Sequence, residues 1–227
     1  MKDSLGDRMK NNYEARSRIN LYRRMPVIIR LDGKAFHTVT RGCEKPFDKK
    51  FSFAMDKAMI SVMEQAQGAK LGYVQSDEIS ILLTDYDTHE TQAWFNNQVQ
   101  KICSVSASIA SVEFTEAFGR KGYFDCRCFN IPREEVTNYF IWRQQDWMRN
   151  SVQMLARSHF SQKQLHNKNV PAMHEMLHEK GVNWATDISD RFKNGGTYVG
   201  EEIRNDVIFK DRREMVEKLV YPEEKNE

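Results

Sequence analysis

Hydrophobic residues along this chain repeat with two periods, and the switches between them outline a fold. Residues 4–22 read as a helix leading to Pro26, which breaks it. Val27-Ile28-Ile29-Arg30-Leu31 is a β-rich run ending in Asp32-Gly33, a strand followed by a turn. From 49 to about 67 the apolar side chains of Phe53, Met55, Ala58, Met59, Val62 and Met63 recur at helical spacing, and Gly68 suits the end. Residues 72–76 and 79–84 flank the tight Ser76-Asp77-Glu78, which is the pattern of a hairpin. A long helix is predicted over 91–118, stopped by Gly119 and Gly122, then a strand over 124–131 in which Phe124, Cys126 and Cys128 alternate. The order β-α-β-β-α-β over 27–131 is the ferredoxin-like arrangement, an α+β fold with an antiparallel sheet and helices on one face. Helices over 134–161 and 172–180, a loop at Asn194-Gly195-Gly196 and a strand then a helix over 204–219 complete the pattern. Two regions are predicted, 1–146 and a mainly helical 147–227 packed on it as one structural unit.

Composition narrows the class. The 227 residues are 40% hydrophobic and 29% charged, long enough to bury a core without staples. The longest apolar runs are far too short to cross a bilayer, so no membrane association is expected. The charged N-terminus has no apolar stretch before a cleavage site, and a cytoplasmic protein is expected. Cys43, Cys103, Cys126 and Cys128 contain no C-x-x-C pair, and a buried apolar strand face accounts for Cys126 and Cys128. Net charge hides an asymmetry: residues 1–50 carry 13 Lys and Arg against 6 Asp and Glu, and the rest carry 21 against 26. Arg16, Arg18, Arg23 and Arg24 in the basic segment are candidates to grip a polyanion, and a solvated helix face explains them equally well.

The predicted sheet gives a chemical site. Asp32 leaves the end of the first strand, while Asp77 and Glu78 sit at the hairpin tip, so these carboxylates can meet at one sheet edge. Two carboxylates with a backbone carbonyl beside Gly33 make a hard, oxygen-rich site suited to Mg²⁺ that also touches phosphates. Paired ions would activate an attacking hydroxyl and neutralise a leaving pyrophosphate. Turn formation alone also accounts for Asp-Gly and Asp-Glu.

Arg30-Leu31-Asp32-Gly33-Lys34-Ala35-Phe36-His37 and Gln75-Ser76-Asp77-Glu78-Ile79-Ser80 resemble the tRNA(His) guanylyltransferase family. Lys45-Pro46-Phe47-Asp48, Phe124-Asp125-Cys126-Arg127 and Tyr139-Phe140-Ile141-Trp142-Arg143-Gln144-Gln145-Asp146 continue the likeness in the family's order. The resemblance implies a polymerase-like palm within 1–146 that adds nucleotides to the 5′ end of tRNA, after ATP or GTP activates that end. It implies two Mg²⁺ ions on Asp32, the Gly33 carbonyl and Asp77, with Glu78 as a supporting catalytic acid. It further implies nucleotide binding by Asp32, Gly33, Lys34, Ala35, Phe36, His37, Ser76 and Asp77. Lys45 and Asp48 would lie near phosphates, and Lys101 and Arg127 would be phosphate clamps by analogy. A homotetramer, tRNA and nucleoside triphosphates are the implied partners, with Arg16, Arg18, Arg23 and Arg24 the candidate tRNA contacts.

Two departures refine the likeness. Enzymes that add the extra G to tRNA(His) usually carry a His-Ile-Asn-Asn-type stretch where this chain has Met148-Arg149-Asn150-Ser151. Where the family often has paired arginines in its long helix, this chain has Asn97-Gln98. Both fit the guanylyltransferase-like branch, which repairs 5′-truncated tRNA by copying the opposite strand; non-templated G addition to tRNA(His) is the alternative. A competing motif is His174-Glu175-Met176-Leu177-His178, a formal H-E-x-x-H zinc-protease pattern, with Trp184 where a longer pattern needs a third His. A non-catalytic RNA-binding module on the same fold is a further alternative, which would need exposed aromatics on the sheet face.

Overall fold

The computed structural model describes residues 4–222. The N-terminal segment is not one helix. Helix α1 (Leu5–Asn12), capped by the Ser4 hydroxyl, gives way to a 3₁₀ turn at Glu14–Ser17 and then to extended chain. Asn20 is drawn into an isolated antiparallel bridge with Gln98, and the Leu21 amide donates to the Asn97 carbonyl at 2.9 Å. These long-range bonds compete with helix continuation. Strand β1 (Val27–Gly33) follows, then the single turn α2 (Phe36–Val39) and helix α3 (Lys49–Gln65). Strands β2 (Ala69–Gln75) and β3 (Glu78–Leu83) form the predicted hairpin.

The long helix α4 (Val99–Phe118) begins later than its periodicity suggests. Phe95, Asn96 and Asn97 before it take left-handed backbone at φ 49°, 51° and 57°, which a right-handed helix cannot contain. Strand β4 (Phe124–Asn130) then leads into α5 (Arg133–His159), which runs unbroken across residue 146 and so is shared by the two predicted regions. Four short helices follow: α6 (Gln162–Leu165), α7 (Val170–Glu179), α8 (Trp184–Asp187) and α9 (Asp190–Asn194). The chain returns to the sheet as β5 (Gly196–Val199) and β6 (Glu202–Arg204), and ends in α10 (Arg213–Val220).

The sheet is antiparallel with order β4-β1-β3-β2-β5-β6. Its first four strands have the ferredoxin-like order expected from the sequence. The β5–β6 hairpin corrects the expected loop at 194–196 and the strand expected from 204. Gly195 makes this approach possible: at φ 83° a Cβ would lie 2.7 Å from the Tyr73 ring. One sheet face, with Ile29, Leu31, Ile79 and Ile81, packs on α3 and α4. The other, with Ile28, Tyr73 and Leu82, packs on α5 and α10 through Phe140 and Val216, and on Phe209 of the segment between β6 and α10. Cys126 and Cys128 pack against the first cluster, as a strand face should, with Cys128 Sγ 3.6 Å from Cys103 Sγ.

Candidate active site

Strand register assembles the acids. Asp32, next to last in β1, pairs with Glu78 of β3 on one side and Asp125 of β4 on the other. Asp77 lies in the two-residue turn between Gln75 and Glu78, where Ser76 takes φ 46°. The Gly33 amide donates to the Asp77 carbonyl at 2.9 Å, which ties the end of β1 to the hairpin tip.

These carboxylates have different surroundings. Glu78 is buried and clamped: Arg143 donates from Nε and Nη2 at 2.6 and 2.8 Å, and Arg30 Nη2 donates at 2.6 Å. The indole of Trp142 lies against both guanidiniums, 4.5 Å from Arg143 and 5.9 Å from Arg30. Asp32 and Asp77 form no ion pair among the described residues. Burial pushes the Asp32 carboxyl above its ordinary pKa, with the charges of Glu78 and Asp125 adding to the rise and Arg30 and Arg127 opposing it. Burial likewise raises Asp77, and Asp32 and Glu78 raise it further. Two adjoining carboxyls without a guanidinium or ammonium partner are a set of hard oxygen donors.

Two clefts meet at this pair. The first, about 460 Å³, is lined by Gly33, Ala35, His37, Lys45, Ser76 and Asp77, with α9 forming part of its wall. Ala35 takes left-handed backbone (φ 56°, ψ 37°) ahead of α2; the Thr38 amide donates back to its carbonyl at 2.9 Å, which leaves the Phe36 and His37 amides as the donors without a helical partner. His37 and Lys45 line the cleft and are exposed, whereas Lys34 is exposed but lines neither cleft. Phe36 is instead buried against Phe51, Phe114 and Phe124, so it anchors the turn to the core. Asp48 caps α3, accepting from the Phe51 amide at 2.8 Å, and also accepts from the Glu44 amide at 3.0 Å. The Phe51 amide contributes most to holding its carboxyl below the usual range. The second cleft, about 310 Å³, is lined by Asp32, Asp77, Glu78, Arg143, Asp146 and Asn150 among others.

Other expected residues lie elsewhere or in a different relation. Arg127 is on β4 with its guanidinium on Asp125 at 3.1 Å, near Asp32. Lys101 is on the first turn of α4 over Phe95, away from both clefts. Arg23 donates to the buried Asp85 at 2.6 Å, and the Arg24 amide donates to the same carboxylate at 2.7 Å. That contact lies past the end of β3 at Leu83, a strand end itself about 17 Å from Asp32 at 3.3 Å per residue. Arg18 pairs with Glu14, and Arg16 is exposed. Sequence reasoning missed the Glu78–Arg143 clamp, because a pair 65 residues apart has no periodic signal. It also missed Arg191, which donates to Asp56 at 2.6 Å, and the Phe47–Phe192 stack at 4.7 Å, which brace α9 against the first cleft.

The H-E-x-x-H motif forms no centre. On α7 the buried residues are Met173 and Leu177, which pack on α5, while His178 is exposed and His174 packs edge-on to Trp184 at 5.8 Å. Among the described residues no three His, Cys, Asp or Glu side chains are arranged to hold a metal. For Mg²⁺ two carboxylates suffice when substrate phosphates complete the shell.

A family model for tRNAHis guanylyltransferase (Thg1) matches residues 6–132. The chain belongs to this family. It is 28% identical over 220 residues to the tRNA(His) guanylyltransferase of Debaryomyces hansenii, covering 85% of this chain and 81% of that one. It is also similar to a solved bacterial tRNA(His) guanylyltransferase (Thg1)-like protein in complex with ATP, at 45% identity and TM-score 0.92 over 96% of this chain and all of the other. A bacterial Thg1-like protein in complex with GTP aligns at 43% identity and TM-score 0.85, with the same coverage. Membership makes the chain a nucleotidyltransferase of the tRNA guanylyltransferase class, on the ferredoxin-like core that the sequence predicts.

Proposed function

We propose that this chain is a Mg²⁺-dependent 3′-to-5′ nucleotidyltransferase that rebuilds the 5′ end of truncated tRNA by copying the opposite strand. The observation that carries the reading is the Asp32–Asp77 pair, raised in pKa and without an ion pair, at the junction of two clefts. Asp32, the Gly33 carbonyl and Asp77 would hold Mg²⁺, which when bound supplies charge neutralisation at the attacking hydroxyl and the pyrophosphate. The chain's own groups position the reactants. The Ala35–His37 turn and Lys45 face a triphosphate in the first cleft, and the second cleft leaves room for an RNA end. ATP and GTP are the nucleotides bound by the two bacterial relatives, and a cleft of about 460 Å³ suits a ligand of that size. Glu78 acts by support: its oxygens are occupied by arginines, which fixes the strand pair that carries Asp32 and Asp77.

Templated repair is favoured over G addition by the two departures. Asn150, within the Met148–Ser151 stretch, lines the second cleft. Asn97 and Gln98 precede α4 and bond the N-terminal segment, so they are committed to the scaffold. A sheet-face RNA-binding module is disfavoured because helices cover both faces. Assembly as a homotetramer in the cytoplasm belongs to the same reading: α1 has no buried residue and exposes Leu5 and Met9, as a helix awaiting another subunit would. No helix is long and apolar enough to cross a membrane among the described residues.

The test offers a tRNA lacking its first 5′ nucleotide, with ATP, Mg²⁺ and each nucleoside triphosphate in turn. Addition of only the nucleotide complementary to the opposite base is expected. G added regardless of that base would restore the tRNA(His) role, and no addition to a 5′-monophosphate or 5′-triphosphate end would overturn the reading.

A further inference from the structure

Helix α5 presents one face to the acid pair, and its residues there have a common property. Trp142, Asp146, Asn150, Gln153 and Arg157 recur at steps of three or four, so they form one stripe. At 1.5 Å per residue the stripe is about 22 Å long. Its last four members line the second cleft beside Asp32 and Asp77. The side chains of Asn150, Gln153 and Arg157 have no hydrogen bond or ion pair among the described residues, although each carries strong donors. At the other end Trp142 is 51% exposed, unusual for an indole whose neighbours Tyr139 and Arg143 hold it in place. A fixed aromatic face, two free amides and a free guanidinium in line beside phosphoryl-transfer acids match the chemistry of a single nucleic-acid strand: bases stack, amides meet base edges or sugars, and guanidinium meets phosphate.

We infer that this α5 stripe holds the RNA strand opposite the growing 5′ end, with Trp142 stacking on the unpaired base and Arg157 on the backbone. The inference rests on the repair reading and names its template contacts. Templating requires that the unpaired base be held still while an incoming nucleotide is matched to it, and a rigid indole at the cleft's edge does this without selecting a base.

The experiment uses the full chain and an acceptor-stem RNA duplex lacking its first 5′ nucleotide, with 2-aminopurine as the unpaired opposite base. Fluorescence quenching and affinity are measured across a salt series, alongside ATP binding and thermal stability. Trp142→Leu should weaken RNA binding about fivefold to a hundredfold and abolish quenching, Trp142→Phe should restore most of both, and ATP affinity should stay unchanged. Arg157→Gln should weaken binding and lower the salt slope by about one. Unchanged RNA affinity and quenching in Trp142→Leu, with templated addition intact, would overturn this inference alone. A wild-type chain that binds no such duplex would overturn both this inference and the repair reading. Should Trp142→Leu fail to fold, Asn150→Ala/Gln153→Ala and Arg157→Gln decide: full RNA affinity with an unchanged salt slope in both would reject the stripe.

Discussion

Asp32 and Glu78 stand directly opposite each other across β1 and β3, yet only Glu78 is bonded by guanidinium groups. Arg143 and Arg30 both aim at Glu78, so the positive charge nearest the acid edge is spent on the structural member of the pair. Burial first, and after it a surplus of negative charge, raises the carboxyls of Asp32 and of Asp77 beside it.

That surplus has a stability signature. A carboxyl whose folded pKa lies above its unfolded value binds its proton more tightly in the native state, so stability falls as pH rises from the unfolded pKa through the folded one. Asp32→Asn and Asp77→Asn should therefore melt higher than the parent at pH 7 without divalent cations, and the gain should vanish below the ordinary aspartate pKa. Added Mg²⁺ should raise the melting temperature of the parent more than that of either variant. Nucleotide addition should drop at least about a hundredfold in both. Variants that melt lower at pH 7 would contradict the electrostatic account.

Removing Arg143 should have the opposite effect on stability. Arg143→Met leaves Glu78 buried with Arg30 as its only guanidinium, and breaking a buried pair from one side costs about 3–5 kcal/mol. For a chain of this length that corresponds to a melting temperature lower by about 6–20 °C. Replacing both residues, as Glu78→Gln with Arg143→Met, should recover part of the loss in a double-mutant cycle. Strict additivity would mean that the 2.6 Å contact carries no coupling energy.

The basic N-terminal segment divides into two kinds of arginine. Arg23 bonds Asp85, a carboxylate only 4% exposed, so Arg23→Gln should cost about 1–3 kcal/mol in chemical denaturation. Arg16→Gln should leave stability within about 0.5 kcal/mol. If the segment contacts tRNA, Arg16→Gln should weaken binding and flatten its salt dependence by about one counterion. Unchanged tRNA affinity in Arg16→Gln together with Arg18→Gln would remove the segment from the RNA interface.

The core strands and hairpin were legible because their signals are local: a β-rich run at 27–31 and a tight turn at Ser76-Asp77. The acid edge followed from the resemblance and from strand order, which bring residues 45 positions apart together. What stayed hidden depends on distant partners. Apolar spacing before Val99 looked helical, but Asn20 and Leu21 capture Gln98 and Asn97 and stop the helix. The Gly195-Gly196 pair looked like a loop, since nothing nearby reveals that Tyr73 and Val74 will accept another strand. Arg143 stands three residues before Asp146, which it meets at 3.1 Å, and nothing in that local spacing reveals that its shorter bonds go to Glu78.

Gly33 is required for space, and the requirement links the core to the site. A Cβ at this position would lie 2.5–2.8 Å from three ring atoms of Phe36, well inside van der Waals contact. Phe36 cannot retreat freely, because Phe51, Phe114 and Phe124 surround it with centroids 4.9–6.1 Å away. Gly33→Ala must then shift either the Phe36 ring or the end of β1, and overpacking of this kind costs about 1–3 kcal/mol. Moving β1 also strains the 2.9 Å bond from the Gly33 amide to the Asp77 carbonyl, and with it the spacing of the two acids. Gly33→Ala should accordingly lose nucleotide addition more steeply than stability. Gly33→Ala with Phe36→Leu, which frees the space, should recover more activity than Phe36→Leu alone would predict. Absence of that recovery would show that the glycine acts through something other than its clearance from Phe36.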